Sequence, residues 1–169
     1  LQVHESPPLT SGDWVVIGHK SGFASGYDVR GYRWMPAVNA PNAVLSPIWE
    51  VPTDWQPVDG VVGSRFFVTA GYVAMFAPAI RGNEVLVPAA AGKLLKIDLR
   101  TGSVLATIDP LAGTTFSGDA RAIVNSAVSV DRAGNVYDTV VAWPLGAFPS
   151  IGTSPRGSWL VRVSPGDQV

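Results

Sequence analysis

The chain of 169 residues contains no cysteine, few charged residues and no long hydrophobic run. Without cysteine it has no disulfide, no thiolate zinc site and no cysteine nucleophile. Charged residues make up 15% of the chain, whereas about a quarter is usual in soluble domains. The longest apolar stretches are interrupted by Pro88 or end at Pro144, so the sequence predicts no membrane span.

Positive charge is not concentrated anywhere along the chain. Lysine and arginine together number 12 against 13 acidic residues, which gives a net charge of −1, and the basic residues are scattered. A protein that binds nucleic acid needs a basic stripe to neutralise a row of phosphates. The sequence therefore predicts no nucleic-acid partner.

Short strands separated by turn residues account for most of what is present. Hydrophobic residues make up 47% of the chain, and its 18 glycines and 14 prolines interrupt it too often for long helices. No window keeps a helical period of 3.6 residues for three turns, so we predict an all-β fold. The predicted strands are Asp13–Ile17, Arg65–Thr69, Glu84–Val87, Leu94–Asp98, Ser103–Ile108, Ala127–Val130, Asn135–Val141 and Ser158–Val163.

These strands also repeat as a set. Ala77–Val87 and Ser126–Tyr137 each contain a short apolar strand, a Gly-Asn turn and a second strand, and Ser6–Val16 is a third copy. The turns at Gly82 and Gly134 lie about 50 residues apart, which is close to the length of a four-stranded propeller blade.

One segment carries a more specific pattern. Gly92–Leu105 contains a Gly-x-Leu strand followed by Asp-x-x-Thr-Gly-x-x-Leu, and Gly26–Trp34 is a decayed copy. The pattern resembles the blade repeat of the quinoprotein-like (PQQ-like) β-propellers. That resemblance implies one domain, 1–169, forming a partial propeller of four-stranded blades. The approximate blades are 4–57, 64–111 and 119–166, with a long loop insertion near 36–63.

Three blades are too few for a closed wheel, since propellers typically have four to eight. We therefore expect a second polypeptide chain to complete the ring, either the other fragment of a precursor or another copy. The first residue is not methionine, and the sequence ends just after the third strand of the last predicted blade. Both features favour a processed chain in a heteromeric propeller. The resemblance implies a secreted or periplasmic location.

Candidate ligand-binding residues come from the loops that lead into the innermost strands, because these loops line the central channel. One group is Asp119, Arg121 and Asn125, which suits an anionic or carbonyl ligand or else consists of loop charges that brace each other. The other is His4 and Glu5, which suit a general base or metal ligands or else belong to a frayed terminus. His19 lies between glycines and is interpreted as a solvated turn residue.

The function favoured by these features is binding of a protein or small molecule at a channel mouth formed with the partner chain. The alternative is a subunit of a propeller enzyme, a hydrolase or a quinoprotein-like oxidoreductase, whose active site is shared with the partner. Family members that bind the quinone resemble one another in an adjacent cysteine pair and in a calcium site of Glu, Asn and Asp. Only Glu5 and Asn125 match that set here, so we predict no metal site, assign no cofactor and leave catalysis open.

Overall fold

The computed structural model of the chain describes residues 3–21, 27–36, 42–55, 77–124, 126–144 and 154–169. Strands dominate this part of the chain, and its only helical element is one 3-10 turn at Ala90–Gly92. The expected all-β fold class is therefore confirmed. The strands are β1 (Val3–Glu5), β2 (Leu9–Ser11), β3 (Trp14–Ser21), β4 (Tyr27–Met35), β5 (Val44–Pro52), β6 (Ala79–Arg81), β7 (Glu84–Pro88), β8 (Leu94–Asp98), β9 (Val104–Ile108), β10 (Ala122–Val124), β11 (Ser129–Val130), β12 (Val136–Ala142) and β13 (Gly157–Val163).

The first two sheets are antiparallel meanders with four strand positions each. In the first sheet, β1 and β2 share the first position because both pair with β3, and β4 and β5 follow in order. The second sheet has the order β6-β7-β8-β9. The tight turn between β6 and β7 has Gly82 at a φ of +60°, a conformation that glycine adopts without steric cost.

The third sheet differs at its outer side. Here β10 and β11 share the first position beside β12, and β13 pairs with β12 along its whole length. This gives three strand positions, and no described residue forms a fourth strand beside β13.

The second sheet lies between the first and the third. Within β7 the run Val85–Val87 has no exposed surface, as expected for a strand buried on both faces. The indole nitrogen of Trp49 in β5 donates a hydrogen bond of 2.8 Å to the carbonyl of Leu99, which follows β8. On the other side, Gly92 lies so close to Val140 of β12 that a Cβ on the glycine would overlap the valine side chain.

Neighbouring sheets also bring their first strands together, since β2 contacts β6 and β6 contacts β11. Antiparallel sheets that stack face to face with converging first strands have the arrangement of propeller blades. The expected partial β-propeller is therefore confirmed, and the described residues do not close into a barrel.

Strand β3 continues through Gly18, where the sequence predicted a stop. The predicted strand Asp13–Ile17 corresponds to a longer strand, which ends at Ser21. A Cβ on Gly18 would overlap the hydroxyl group of Tyr27, so this glycine makes room for an aromatic side chain and does not form a turn. His19, interpreted as a solvated turn residue, consequently lies within a strand.

The segment 36–63, expected to be a loop insertion, contains strand β5. This nine-residue strand is the outer strand of the first sheet. Its prolines, Pro47 and Pro52, obscure it in the sequence because proline usually excludes a strand, although the edge of a sheet tolerates the missing N–H. Another predicted strand, Arg65–Thr69, lies outside the described residues.

Candidate functional site

Asp119 and Arg121 stand immediately before β10 and contact each other. The Arg121 guanidinium donates from Nε to Oδ1 of Asp119 at 2.8 Å and from Nη2 to Oδ2 at 2.6 Å. The backbone N–H of Arg121 donates to the same Oδ1 at 3.0 Å. The turn itself holds this pair, since the N–H of Ala122 donates to the carbonyl of Asp119 at 2.8 Å.

A second arginine and two aromatic rings extend this pair. Nη1 of Arg156 lies 3.3 Å from Oδ2 of Asp119, and the Arg156 guanidinium carbon lies 5.0 Å from the centroid of the Phe116 ring. The Phe116 ring in turn lies 4.8 Å from the ring of Trp159 in β13. We call Phe116, Asp119, Arg121, Arg156 and Trp159 the loop-end cluster.

The loop-end cluster carries two positive charges and one negative charge. The side-chain hydrogen bonds from Arg121 hold the pKa of Asp119 below its usual value, despite the opposing effect of burial. A carboxylate with a lowered pKa is a poor general base near neutral pH. Each guanidinium has five N–H donors, more than the bonds to Asp119 use, so the cluster is suited to binding an anion.

The contacts described for this cluster do not include the other three predicted site residues. His4 and Glu5 lie in β1, at register positions opposite Lys20 and His19 of β3. Asn125 lies outside the described residues. The predicted grouping of all five residues therefore stays a prediction.

A row of alternating charges crosses the first sheet on the face turned away from the second sheet. Nδ1 of His19 lies 2.6 Å from Oδ1 of Asp28, and these side chains are 12% and 16% exposed. Arg30 lies 3.0 Å from the other oxygen of Asp28 and 3.4 Å from Glu50. A carboxylate on one ring nitrogen orients an imidazole and leaves the second nitrogen available. No pattern in the sequence indicates this row, because the row depends on the pairing of β3 and β4 beyond Gly18.

A polar cleft of about 370 Å³ lies at the seam of the first two sheets, beside their β2–β3 and β6–β7 turns. Nε of Arg33 lies 2.6 Å from Asp13, and the guanidinium lies 5.6 Å from the centroid of the Trp14 ring. Asn83 and Arg100 line the opposite side. The side chains of Asp13 and Arg33 are both well exposed to solvent, so the cleft is an open groove in the surface.

The family resemblance implies an adjacent cysteine pair and a metal site of Glu, Asn and Asp, and the matching Asn125 lies outside the described residues. The chain has no cysteine, and no three histidine or acidic side chains within the described ranges approach closely enough to hold a metal ion. Over the same ranges, no helix is both long and apolar enough to cross a bilayer.

Comparison with known proteins gives a structural likeness but no match in sequence. No family model matches the chain, and no curated protein matches it. Among solved structures, the chain is similar to a europium-containing methanol dehydrogenase at 14% identity and a TM-score of 0.43. The match covers 93% of this chain and 24% of that chain, so the present chain spans about a quarter of that protein's length.

Proposed function

We propose that this chain is a binding segment of a β-propeller and that a second polypeptide completes the wheel. The observation that carries the proposal is that the first and third sheets each have one face without a neighbouring sheet among the described residues, and that both sheets have exposed large apolar side chains. Leu160 in the third sheet is 77% exposed, and Trp34 and Val44 in the first sheet are 47% and 50% exposed. Apolar side chains grouped on a sheet face that has no neighbouring sheet are typical of surfaces that another protein covers.

The partner is either another fragment of a precursor or another copy of this chain. Three blade-like sheets leave two outer faces, and closure of a propeller needs further blades on both. The resemblance to quinoprotein-like repeats supports a secreted or periplasmic location for the assembly, which fractionation of the producing cells tests.

The ligand site of this assembly is proposed at the loop-end cluster, where Asp119 and Arg121 meet, together with His4, Glu5 and Asn125. Its net positive charge and its aromatic pair favour an anionic ligand such as a carboxylate. The lowered pKa of Asp119 favours a role in positioning donors over one in proton transfer.

A second candidate function is a subunit of a propeller enzyme, a hydrolase or a quinoprotein-like oxidoreductase. The His19–Asp28 pair favours it, because an imidazole held by a carboxylate is a common general base. The pair lies on the outer face of the first sheet, so a partner would supply the remaining groups. If this candidate is correct, His19→Asn abolishes hydrolysis of an ester probe such as p-nitrophenyl acetate by the assembled complex without weakening the assembly.

Native mass spectrometry and sedimentation of the purified chain test the binding proposal. We expect a complex, with a copurified polypeptide or with a second copy, that Leu160→Lys weakens about tenfold or more by placing a charge in the contact. Leu105→Lys is the matched control, because Leu105 is 51% exposed on β9, which already occupies a fourth strand position. A stable monomer at all concentrations, with no copurified polypeptide, contradicts the proposal.

A further inference from the structure

The three sheets end in outermost strands of two different kinds. In the first sheet, β5 contains Pro47 and Glu50 and has a register shift against β4 next to Gly31. In the second sheet, β9 has a register shift against β8 and is followed by Asp109 and Pro110. Prolines, charges and bulges are the features by which natural edge strands avoid pairing with other chains.

The outermost strand of the third sheet has almost none of these features. β13 has seven residues, no proline and a single charged residue, Arg162. It pairs with β12 residue by residue without a register shift. In composition and regularity β13 therefore resembles a strand from the interior of a sheet.

Its position in the meander leads to the same conclusion. β4 and β8 occupy the third strand position of the other two sheets, and each is covered by a fourth antiparallel strand. Leu94 and Leu95 of β8 are buried, whereas Leu160 of β13 is 77% exposed. Within the described residues, no strand pairs with the outer edge of β13.

We propose that the outer edge of β13 binds an extended apolar segment of a different polypeptide, not a second copy of this chain, and that this segment pairs antiparallel to β13 as the fourth strand of the third sheet. The inference rests on the proposed function for the existence of that polypeptide. Main-chain hydrogen bonds along a free sheet edge supply affinity, and alternate side chains supply specificity.

The two strands that already occupy this position indicate the chemistry of the incoming segment. Both begin with a Val-Leu pair, Val44-Leu45 in β5 and Val104-Leu105 in β9. Arg162 is exposed and forms no ion pair among the described residues, so an acidic residue in the strand opposite is favoured. The expected segment is thus five or more aliphatic and β-branched residues with a nearby carboxylate.

The experiment adds a synthetic peptide with the sequence of residues 101–110 to the full chain. This probe contains β9 and an aspartate, and amide hydrogen exchange is followed strand by strand. We expect exchange of the outward amides of β13 to slow about tenfold or more at saturation, while β5 and β9 are unchanged. The same peptide carrying Leu105→Pro is the control, because proline removes a donor and breaks an incoming strand.

Two variants of the chain test whether protection by the peptide depends on the outer edge of β13. Leu160→Lys should abolish the protection of β13 by the peptide, since lysine on an edge strand opposes pairing. Leu105→Lys in the chain should leave that protection intact. Circular dichroism of both variants checks that the sheets are retained.

Two outcomes overturn the inference. One is unchanged exchange in β13 at millimolar peptide; the other is protection of β13 without peptide in a dimer, which identifies a second copy as the occupant. A chain that binds the peptide but forms no complex in native mass spectrometry supports this inference and contradicts the proposed function. A chain that forms a complex while the amides of β13 stay unprotected supports the proposed function and contradicts this inference.

Discussion

At the scale of single residues, the buried carboxyl group of Asp138 is the most unusual feature of the described chain. Its Oδ1 accepts hydrogen bonds from the Ser126 hydroxyl at 3.0 Å and from the Thr139 N–H at 2.7 Å. Its Oδ2 is buried without a hydrogen-bond partner among the described residues. Burial raises the pKa of Asp138 to about 7, although both hydrogen bonds oppose that shift.

This carboxyl group predicts that stability falls as the pH rises. The folded state holds the proton up to about pH 7, whereas the unfolded chain loses it near pH 4, so folding is penalised progressively between these values. Asp138→Asn removes the penalty and should stabilise the protein at pH 8 by up to about 4 kcal/mol. Urea denaturation of both proteins at pH 4.5 and pH 8 measures the difference.

Asp119→Asn is the matched control, because the pKa of Asp119 is lowered. Its stabilising effect is present above the unfolded pKa and is lost as the pH falls through the folded pKa. The variant should therefore be destabilised at pH 8, opposite in sign to Asp138→Asn. If Asp138→Asn leaves the pH dependence unchanged, the assignment of a raised pKa to Asp138 is wrong.

Sequence separation explains which side-chain contacts were predictable. Asp119 and Arg121 are two residues apart, so the interpretation that their charges brace each other required only local geometry. Arg156 reaches Asp119 across 37 residues, and His19 meets Asp28 through strand register. Contacts of that kind depend on pairing that composition and spacing do not specify.

At the scale of elements, turn residues located most of the predicted strands correctly. The predicted strands at Glu84–Val87, Leu94–Asp98 and Ser158–Val163 agree with β7, β8 and β13 to within one residue at either end. Each is bounded by glycine, proline or a tight turn, which act locally. β3 and β5 were misjudged because Gly18 and Pro47 lie inside strands, where close side-chain approach and an edge position make them acceptable.

Gly31 in β4 is another glycine inside a strand that makes room for an aromatic side chain, and its substitution provides a second prediction. A Cβ on Gly31 would overlap the indole ring of Trp49, whose nitrogen joins the first sheet to the second through Leu99. Gly31→Ala should displace that ring and destabilise the fold by about 1 to 3 kcal/mol. Urea denaturation followed by tryptophan fluorescence measures the loss.

Gly166→Ala serves as the comparison, because a Cβ on Gly166 would meet no heavy atom within 4 Å. Its effect should stay within about 0.5 kcal/mol. Equal effects of the two substitutions would contradict the packing of Trp49 against Gly31.

Arg81 links the second sheet to the turn that follows β13. Its guanidinium lies 2.7 Å from Glu84 and 2.8 Å from Asp167, and Nη1 donates to the carbonyl of Ser164 at 3.1 Å. Lys96 contacts the same two carboxylates. The arginine is 9% exposed, so its bonds are shielded from water more than those of a surface pair.

Removing Arg81 should lower the free energy of unfolding more than removing an exposed ion pair does. Arg81→Met leaves two partly buried carboxylates with reduced compensation, and we expect a loss of about 2 kcal/mol. Arg33→Met breaks a pair in which both side chains are 45% exposed, and its expected cost is below about 1 kcal/mol. Chemical denaturation of both variants at one pH compares them, and an equal or reversed order would show that the buried cluster does not brace the sheets.

At the scale of the whole molecule, the stacking order determines how stability is distributed. The repeat in the sequence predicted consecutive four-stranded units. It did not predict which faces stay open, because Leu95 and Leu160 occupy the same position of similar Gly-containing patterns and yet differ in burial. The second sheet is covered on both faces, whereas the first and third sheets each have one face without a neighbouring sheet among the described residues.

Native-state amide exchange should therefore rank the sheets. Amides of β7 should exchange only through global unfolding of the protein. Amides of β4 and β12 should exchange through local unfolding, with a free energy of opening about 2 kcal/mol lower, because local unfolding begins where fewer apolar contacts are lost. Val87→Ala, at a side chain with no exposed surface, should lower protection in all three sheets because it weakens their shared centre. Val104→Ala, at a side chain that is 53% exposed, should change protection little outside β9. Greater protection of β4 or β12 than of β7 would mean that the outer sheets fold independently of the second, and the central position of that sheet would then not organise the core.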